Sequence, residues 1–307
     1  MPFELTILGS SSALPTSERY PTAQVLNVSG HLFLIDCGEG TQIQLRRYKI
    51  NFSKIKHIFI SHRHGDHYYG LIGLISTMNL LGIKSDLHIF APSEIQSFLQ
   101  PQLADIRGEN TINPIFHPLN FKKKTRIYTN KKVEVFSFPL KHSIPACGFL
   151  FKEVGKQANI KKEMIAKYSI PIARIKDIKS GADFITNSGE IIPNQTLTIP
   201  PPAPRSYAFC TDTAYYPQLA SIVKNVDLLY HETTFPEAMR EFAERTRHST
   251  TLDAARIAYN AQVKKLLIGH FSARFHDTSL FEKEAREIFA NTIAVREGDV
   301  YSVEKKS

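Results

Sequence analysis

The stretch Ser61-His62-Arg63-His64-Gly65-Asp66-His67 limits what this chain can fold into more than any other. It follows an apolar run at residues 55–60 that reads as a buried strand, and it precedes residues 68–81, which carry the apolar spacing of a helix. Three imidazoles and one carboxylate therefore crowd the turn between a strand and a helix. Imidazole nitrogen and carboxylate oxygen are the donor atoms that suit zinc and similar divalent ions. So short a turn cannot aim all four at one centre and leave it open. It can supply two metals, with His62 and His64 on one and Asp66 and His67 on the other.

The chain has 307 residues, enough for one large domain or two modest ones, and its hydrophobic content of 42% allows a substantial core. No window approaches the continuous apolar length of a membrane span. The N-terminus shows no basic region followed by an apolar one, so no secretory signal is expected and a cytoplasmic protein is. Cys37, Cys147 and Cys210 lie far apart in apolar segments and read as buried free thiols of a reducing compartment. The formal net charge of +9 is compatible with an anionic partner.

In chain order, strands are expected at residues 3–8, 23–28 and 31–35, with Ser29-Gly30 as a hairpin turn, before a helix through Arg47. After the metal-type turn and its helix come a strand at 86–90, a helix from Glu94 to about Leu99 that Pro101 stops, and short strands across 115–140. Strands at 207–210, 226–230 and 265–268 alternate with helices at 252–261 and 279–290, Ser249 or Thr250 serves as an N-cap, and a strand at 300–303 closes the chain. Strands first and alternation later predict an α/β fold of the αββα sandwich type rather than a simple parallel sheet. Strand after strand also ends in a ligand-type residue: the 61–67 turn, His142, Asp212, His231 and His270. Sites of layered α/β folds gather at strand ends, so these residues are expected to converge.

Residues 152–204 differ in character. From Lys152 to Lys179 eight Lys or Arg face three acids, an excess of +5, and Pro200-Pro201-Pro202-Ala203-Pro204 stiffens the exit. With little apolar content of its own, this segment reads as an insertion projecting from the core. Residues 161–168 can be helical, and 183–192 read as a small hairpin.

The motif His62-Arg63-His64-Gly65-Asp66-His67 is similar to the signature of the metallo-β-lactamase superfamily. Further motifs resemble its tRNA 3′-processing branch, the ribonuclease Z family: Asp36-Cys37-Gly38-Glu39-Gly40-Thr41-Gln42, His231-Glu232-Thr233-Thr234, His248-Ser249-Thr250 and His270-Phe271-Ser272-Ala273-Arg274-Phe275. The resemblance covers nearly the whole chain. It implies one metallo-β-lactamase-fold domain over 1–307, with 152–204 as an inserted, flexible, RNA-gripping arm. Lys161, Lys162, Lys167, Arg174, Lys176 and Lys179 are the arm's candidate RNA contacts.

By position, the resemblance also implies that His62, His64 and His142 hold one zinc and Asp66, His67 and His270 a second, with Asp212 bridging; Mn²⁺ or Co²⁺ suit the same donors. A water between the metals is the implied nucleophile, which Asp66 orients or deprotonates, and His248, steered by Glu232, is the candidate general acid. The implied partners are precursor tRNA and a second copy of the chain, without a membrane. Two departures stand out. Where the family loop runs Pro-x-Lys-x-Arg-Asn, this chain has Pro15-Thr16-Ser17-Glu18-Arg19-Tyr20, and the usual Gly-Pro of the arm is replaced around Ile170-Pro171-Ile172. Two rival readings remain open: a phosphodiesterase of the same fold acting on small phosphodiesters, and a non-catalytic RNA-binding protein on a degenerate hydrolase fold. The complete ligand set argues against the second.

Overall fold

The computed structural model describes residues 1–105 and 111–304. They form two compact units, residues 1–152 with 205–303, and residues 153–204. The larger unit is built on two seven-stranded sheets. In the first, the strands run in the order Val300–Ser302, Phe3–Gly9, Ala23–Val28, His31–Cys37, Ile55–Phe59, Asp86–Ala91, Asn113–Pro118. In the second, the order is Thr292–Ala294, Lys265–Gly269, Leu228–Glu232, Ser206–Cys210, Ala146–Glu153, Val133–Leu140, Thr125–Thr129.

Alternation along the strands decides which side chains fill the space between the sheets. Phe3, Leu5 and Ile7 of the first sheet meet Phe149, Phe151, Tyr207 and Phe209 of the second in one aromatic-rich core. The outer face of the first sheet packs on Leu45, Leu71, Leu74, Met78, Ile95 and Leu99 of three helices. The outer face of the second packs on Ala254, Ile257, Ala258 and Phe281. Helix, sheet, sheet, helix is the layered sandwich expected from the order of elements. The strands Ser206–Cys210, Leu228–Glu232 and Lys265–Gly269 are parallel and almost wholly buried, which is why they read as continuous apolar runs.

The expected stop at Pro101 is wrong, and the helix expected over 279–290 ends at Arg286. The helix over Ser93–Asp105 does not stop at Pro101 but contains it. Ile95, Leu99 and Leu103 are 1–2% exposed at helical spacing, so burying Leu103 offsets the hydrogen bond that Pro101, on the exposed face, cannot make. The cysteines are free and buried, as expected. Among the described residues no helix is long and apolar enough to cross a membrane.

Residues 153–204 also correct an expectation. The segment is not poor in apolar content: Ile170, Ile178, Phe184, Ile192 and Leu197 form a core of their own, flanked by Ile160, Met164 and Tyr168. Two short helices, Lys162–Lys167 and Ile172–Lys179, and a hairpin pairing Phe184–Ile185 with Ile191–Ile192 surround it. Single apolar residues spread from Ile160 to Leu197 conceal a core that only tertiary contact assembles. Lys162, Lys167, Arg174 and Lys176 are exposed on this unit, while Lys161 donates to the Thr196 carbonyl at 3.0 Å and Arg174 pairs with Asp177 at 3.6 Å.

At the site end of the larger unit, the helix Gly70–Leu80 starts hard against the turn after His31–Cys37. A Cβ on Gly70 would lie 2.0 Å from the Gly38 carbonyl oxygen, and one on Gly38 would lie 2.5 Å from that of Asp66. Gly70→Ala should therefore push the two apart and cost about 1–3 kcal/mol. Thermal melting against the parent chain measures it, and an unchanged midpoint would show that the approach is not constrained.

Candidate metal centre

The C-terminal ends of strands from both sheets deliver the site. His62, His64, Asp66 and His67 follow Ile55–Phe59, His142 follows Val133–Leu140, Asp212 follows Ser206–Cys210, and His270 follows Lys265–Gly269. Two sets of donor atoms result. In the first, His62 Nε2 lies 3.1 Å from His64 Nδ1 and 3.5 Å from Asp212 Oδ2; His142 Nε2 lies 3.2 Å from His64 Nδ1 and 3.6 Å from Asp212 Oδ2. In the second, His67 Nε2 is 3.3 Å from Asp66 Oδ2 and from Asp212 Oδ1; His270 Nε2 is 3.6 Å and 3.1 Å from the same two oxygens. Asp212 thus turns one carboxylate oxygen to each set.

These distances test whether cations fit. Four ligands at 2.0–2.1 Å around a tetrahedral ion stand about 3.3 Å apart, the middle of both ranges. The buried Nε2 atoms of His67 and His270 have no hydrogen-bond partner within the protein, as expected of lone pairs meant for an ion. Electrostatics agree. Burial would push His67 down, but Asp66, Asp212 and Asp36 outweigh it and hold the ring well above the usual histidine range. Burial would raise Asp212, yet His270, His67 and His62 bring it well below the usual carboxylate range. The pocket favours anionic carboxylates and asks for positive charge at its centre, so this is a divalent-metal site.

The nitrogens that do not face the centre are tied down. The Ser61 hydroxyl donates to Asp36 Oδ2 and sits 2.9 Å from His62 Nδ1, which fixes Nδ1 as the protonated nitrogen and leaves Nε2 free. His67 Nδ1 donates to Asp36 Oδ2 at 2.7 Å, His142 Nδ1 to the Arg247 carbonyl at 3.0 Å, and His270 Nδ1 to Thr234 Oγ1 at 2.9 Å. The Thr234 hydroxyl donates in turn to Glu232 Oε2 at 2.8 Å. The backbone N–H of Ala13 reaches Asp66 Oδ2 at 2.8 Å.

His248 stands beside the second set. Its Nδ1 donates to Glu232 Oε1 at 3.0 Å, and its ring lies 5.0 Å from that of His142 and 5.6 Å from that of His270. Glu232 is fully buried and also accepts from the backbone of Thr213, Thr234 and Ser249. Burial would push Glu232 up, but His248 leads the groups that lower it to about 2. Burial opposes charge on His248, but Glu232, Asp212 and Asp66 raise it to about 9. Glu232 therefore favours the protonated form of His248. Its loop is set by a capping box between Thr250 and Asp253 at the start of the helix Thr251–Asn260.

All seven expected ligands thus gather, and Glu232 touches His248. His231 does not join them. Strand alternation turns it to the opposite face, where its Nδ1 donates to the Glu232 carbonyl at 2.7 Å. Sequence reasoning gave no role to Asp36, Ser61, Thr234 or the Arg247 carbonyl. Asp36 and Thr234 lie inside recognised motifs, whereas a backbone carbonyl leaves no mark in a sequence.

A family model described as Anti-Pycsar protein Apyc1 matches residues 3–160, which include the 61–67 turn and His142 but none of the motifs from Asp212 onward. The ribonuclease Z of Parabacteroides distasonis is 48% identical over 309 residues, covering 98% of this chain and 99% of the relative. The chain belongs to the ribonuclease Z family. The crystal structure of the short form of human tRNase Z superposes with a TM-score of 0.72 at 24% identity, covering 98% of this chain and 99% of that one. A metallo-β-lactamase-fold protein of Bacillus subtilis, YhfI, gives 0.69 at 17% identity, covering 99% and 100%. The fold is accordingly that of the metallo-β-lactamases.

Asp36→Ala removes the acceptor that orients both His67 and Ser61. It should weaken divalent-metal affinity about 10–100-fold, as read by competition with a chromogenic chelator. Parental affinity would rule out the orienting role.

Proposed function

We propose that this chain removes the 3′ trailer from tRNA precursors with two Zn²⁺ ions, leaving a 3′-hydroxyl on the tRNA and a 5′-phosphate on the trailer. The enzyme class comes with family membership: the chain is an endoribonuclease, a hydrolase of phosphodiester bonds. The observation that carries the finer reading is the pairing of two donor sets shared by Asp212 with His248, bonded to Glu232 Oε1 at 3.0 Å, at their edge. Bound there, two divalent cations supply Lewis acidity and lower the pKa of water.

The chain's own residues do the rest. Asp66 is held by the Ala13 N–H and placed to orient an attacking water or take its proton. A ribose 3′-oxygen is a poor leaving group until protonated. Glu232 and Thr234 hold His248 through Nδ1, which leaves Nε2 to deliver that proton. Glu232 stays anionic through proton transfer and stabilises the charged imidazolium beforehand. The reading extends to a cytoplasmic homodimer whose basic unit, residues 153–204, grips the RNA. Its exposed lysines and the excess of +5 from Lys152 to Lys179 support this.

Incubating the purified protein with Zn²⁺ and a precursor carrying a 3′ trailer tests the chemistry. The expected termini are a 3′-hydroxyl and a 5′-phosphate, because water attacks phosphorus; a 2′,3′-cyclic phosphate would defeat the mechanism. A small-diester phosphodiesterase would share the centre but leave such precursors intact. His248→Ala should keep its metals and RNA affinity and lose about 10²–10⁴-fold in turnover, with a much smaller loss on a nitrophenyl diester, whose leaving group needs no proton. Equal losses on both substrates would remove the acid role.

Replacing residues 156–203 by a short Gly/Ser linker should spare metal binding and small-diester hydrolysis while abolishing precursor cleavage. If the segment makes three phosphate contacts, its loss should flatten the log–log salt dependence of RNA binding by about two units. An unchanged slope with unchanged cleavage would reduce the segment to a solvated excursion.

A further inference from the structure

A strongly basic run has no part in the reaction as derived and lies outside the 153–204 unit. Residues 120–132 hold six Lys or Arg and no acid, a denser excess than that from Lys152 to Lys179. They span the connection between the two sheets and the edge strand of the second, Thr125–Thr129. Strand register puts the two ends of this run at opposite ends of the sandwich. Thr125 is opposite Ser137, and Thr129 is opposite Glu134. The neighbouring strand Val133–Leu140 therefore starts at the Lys131-Lys132 turn, passes Lys124 near its end and leads on to the ligand His142.

The first sheet fixes the other side of the connection. Pro118 pairs with Ala91, and the Leu119 N–H donates to the Ala91 carbonyl at 3.1 Å. The carbonyl before it, that of Phe90, accepts the N–H of Ile60 at 2.8 Å, two residues ahead of the ligand His62. Residues 119–124 thus leave the first sheet level with the strand end that carries His62 and enter the second beside the strand end that carries His142. Neighbouring strands lie about 4.8 Å apart, so Lys122 to Lys124 sit one strand from that of His142, at the metal-site end. Lys131 and Lys132 lie at the far end of the same edge, about 25 Å along it.

The charges at the metal-site end are uncommitted. Lys122, Lys123 and Lys124 are exposed, and among the described residues no carboxylate pairs with them, whereas Arg126 is taken by Glu134 at 2.8 Å. Lys124 Nζ stands 5.6 Å over the Phe136 ring and donates to the Ile222 carbonyl at 3.5 Å. Partial burial and the nearby Lys152 push its ammonium group down, which an anion alongside would reverse. A strand whose phosphate lies at the metals carries a further negative charge at every nucleotide on either side. We infer that Lys122, Lys123 and Lys124 bind phosphates of the RNA strand that flanks the scissile bond. The inference rests on the proposed cleavage of precursor RNA.

The test compares two double variants that remove the same charge from the two ends of the run, Lys122→Ala/Lys123→Ala and Lys131→Ala/Lys132→Ala. Lys124 is left in place because it packs on Phe136. Each is assayed on a trailer-bearing precursor and on bis(nitrophenyl) phosphate, with metal content and thermal melting measured alongside. The first variant should raise KM for the precursor about two- to thirtyfold, the range for two exposed ion pairs. Its kcat should hold, because such contacts are made equally in the ground and transition states. It should also flatten the log–log salt dependence of precursor binding by about 1.4 units, the value for two contacts to a single strand. Lys122→Arg/Lys123→Arg should keep the parental KM. The second variant should match the parent on the precursor, and all variants should match it on the diester, which has no flanking phosphates. A parent that does not cut the precursor would defeat the proposed function itself. A parent that cuts it, with the first variant at parental KM and slope, or with both Ala variants impaired alike, would overturn the inference: the first result leaves these lysines solvated, and the second reduces them to a share of the overall charge.

Discussion

The structure turns on one buried carboxylate. Asp212 is 3% exposed, and its two oxygens face different imidazole sets, one within 3.6 Å of His62 and His142, the other within 3.3 Å of His67 and His270. A charge at such depth is costly unless it is matched, and the matching groups come from three other strand ends. The two sheets must therefore stack in one register for the site to exist at all. The aromatic core between them, from Phe3 to Phe209, supplies that rigidity.

Outside the donors lies a second ring of acceptors, and it assigns the roles. Asp36, Ser61, Thr234 and the Arg247 carbonyl each hold the far nitrogen of a histidine. This fixes tautomers without any bound ion and leaves the inward lone pairs available. Glu232 belongs to the same ring but serves a different end. It takes Nδ1 of His248 instead of a ligand histidine, so the neighbouring imidazole is raised to about 9 while the ligand His62, buried among other imidazoles, is pushed down to about 3. Within one site, like residues are biased in opposite directions by what stands behind them.

Residues 153–204 pack as a compact unit by themselves. This unit has a core of its own, with Lys162, Lys167 and Lys176 exposed around it.

Much of this was written locally. Four ligand-type residues in one turn, an apolar run before them and a helix after them can be read from residues 55–81 alone, because ligand spacing and strand pattern are short-range properties. The motifs after Asp212, and the order of strands and helices, likewise identify the sandwich and its family. What the tertiary structure alone decided is everything that depends on which face a side chain takes and what stands across from it. It excluded His231, which shares a strand end with Glu232 but points the other way. It carried a helix through Pro101 because Leu103 had a core to enter, and it gathered five scattered apolar residues into the core of residues 153–204. It also joined Glu232 to His248, sixteen positions apart, and Glu297 to Tyr20 across nearly the whole chain. Such pairings leave no periodicity behind, since they arise only when sheets close and burial selects which polar groups must find each other.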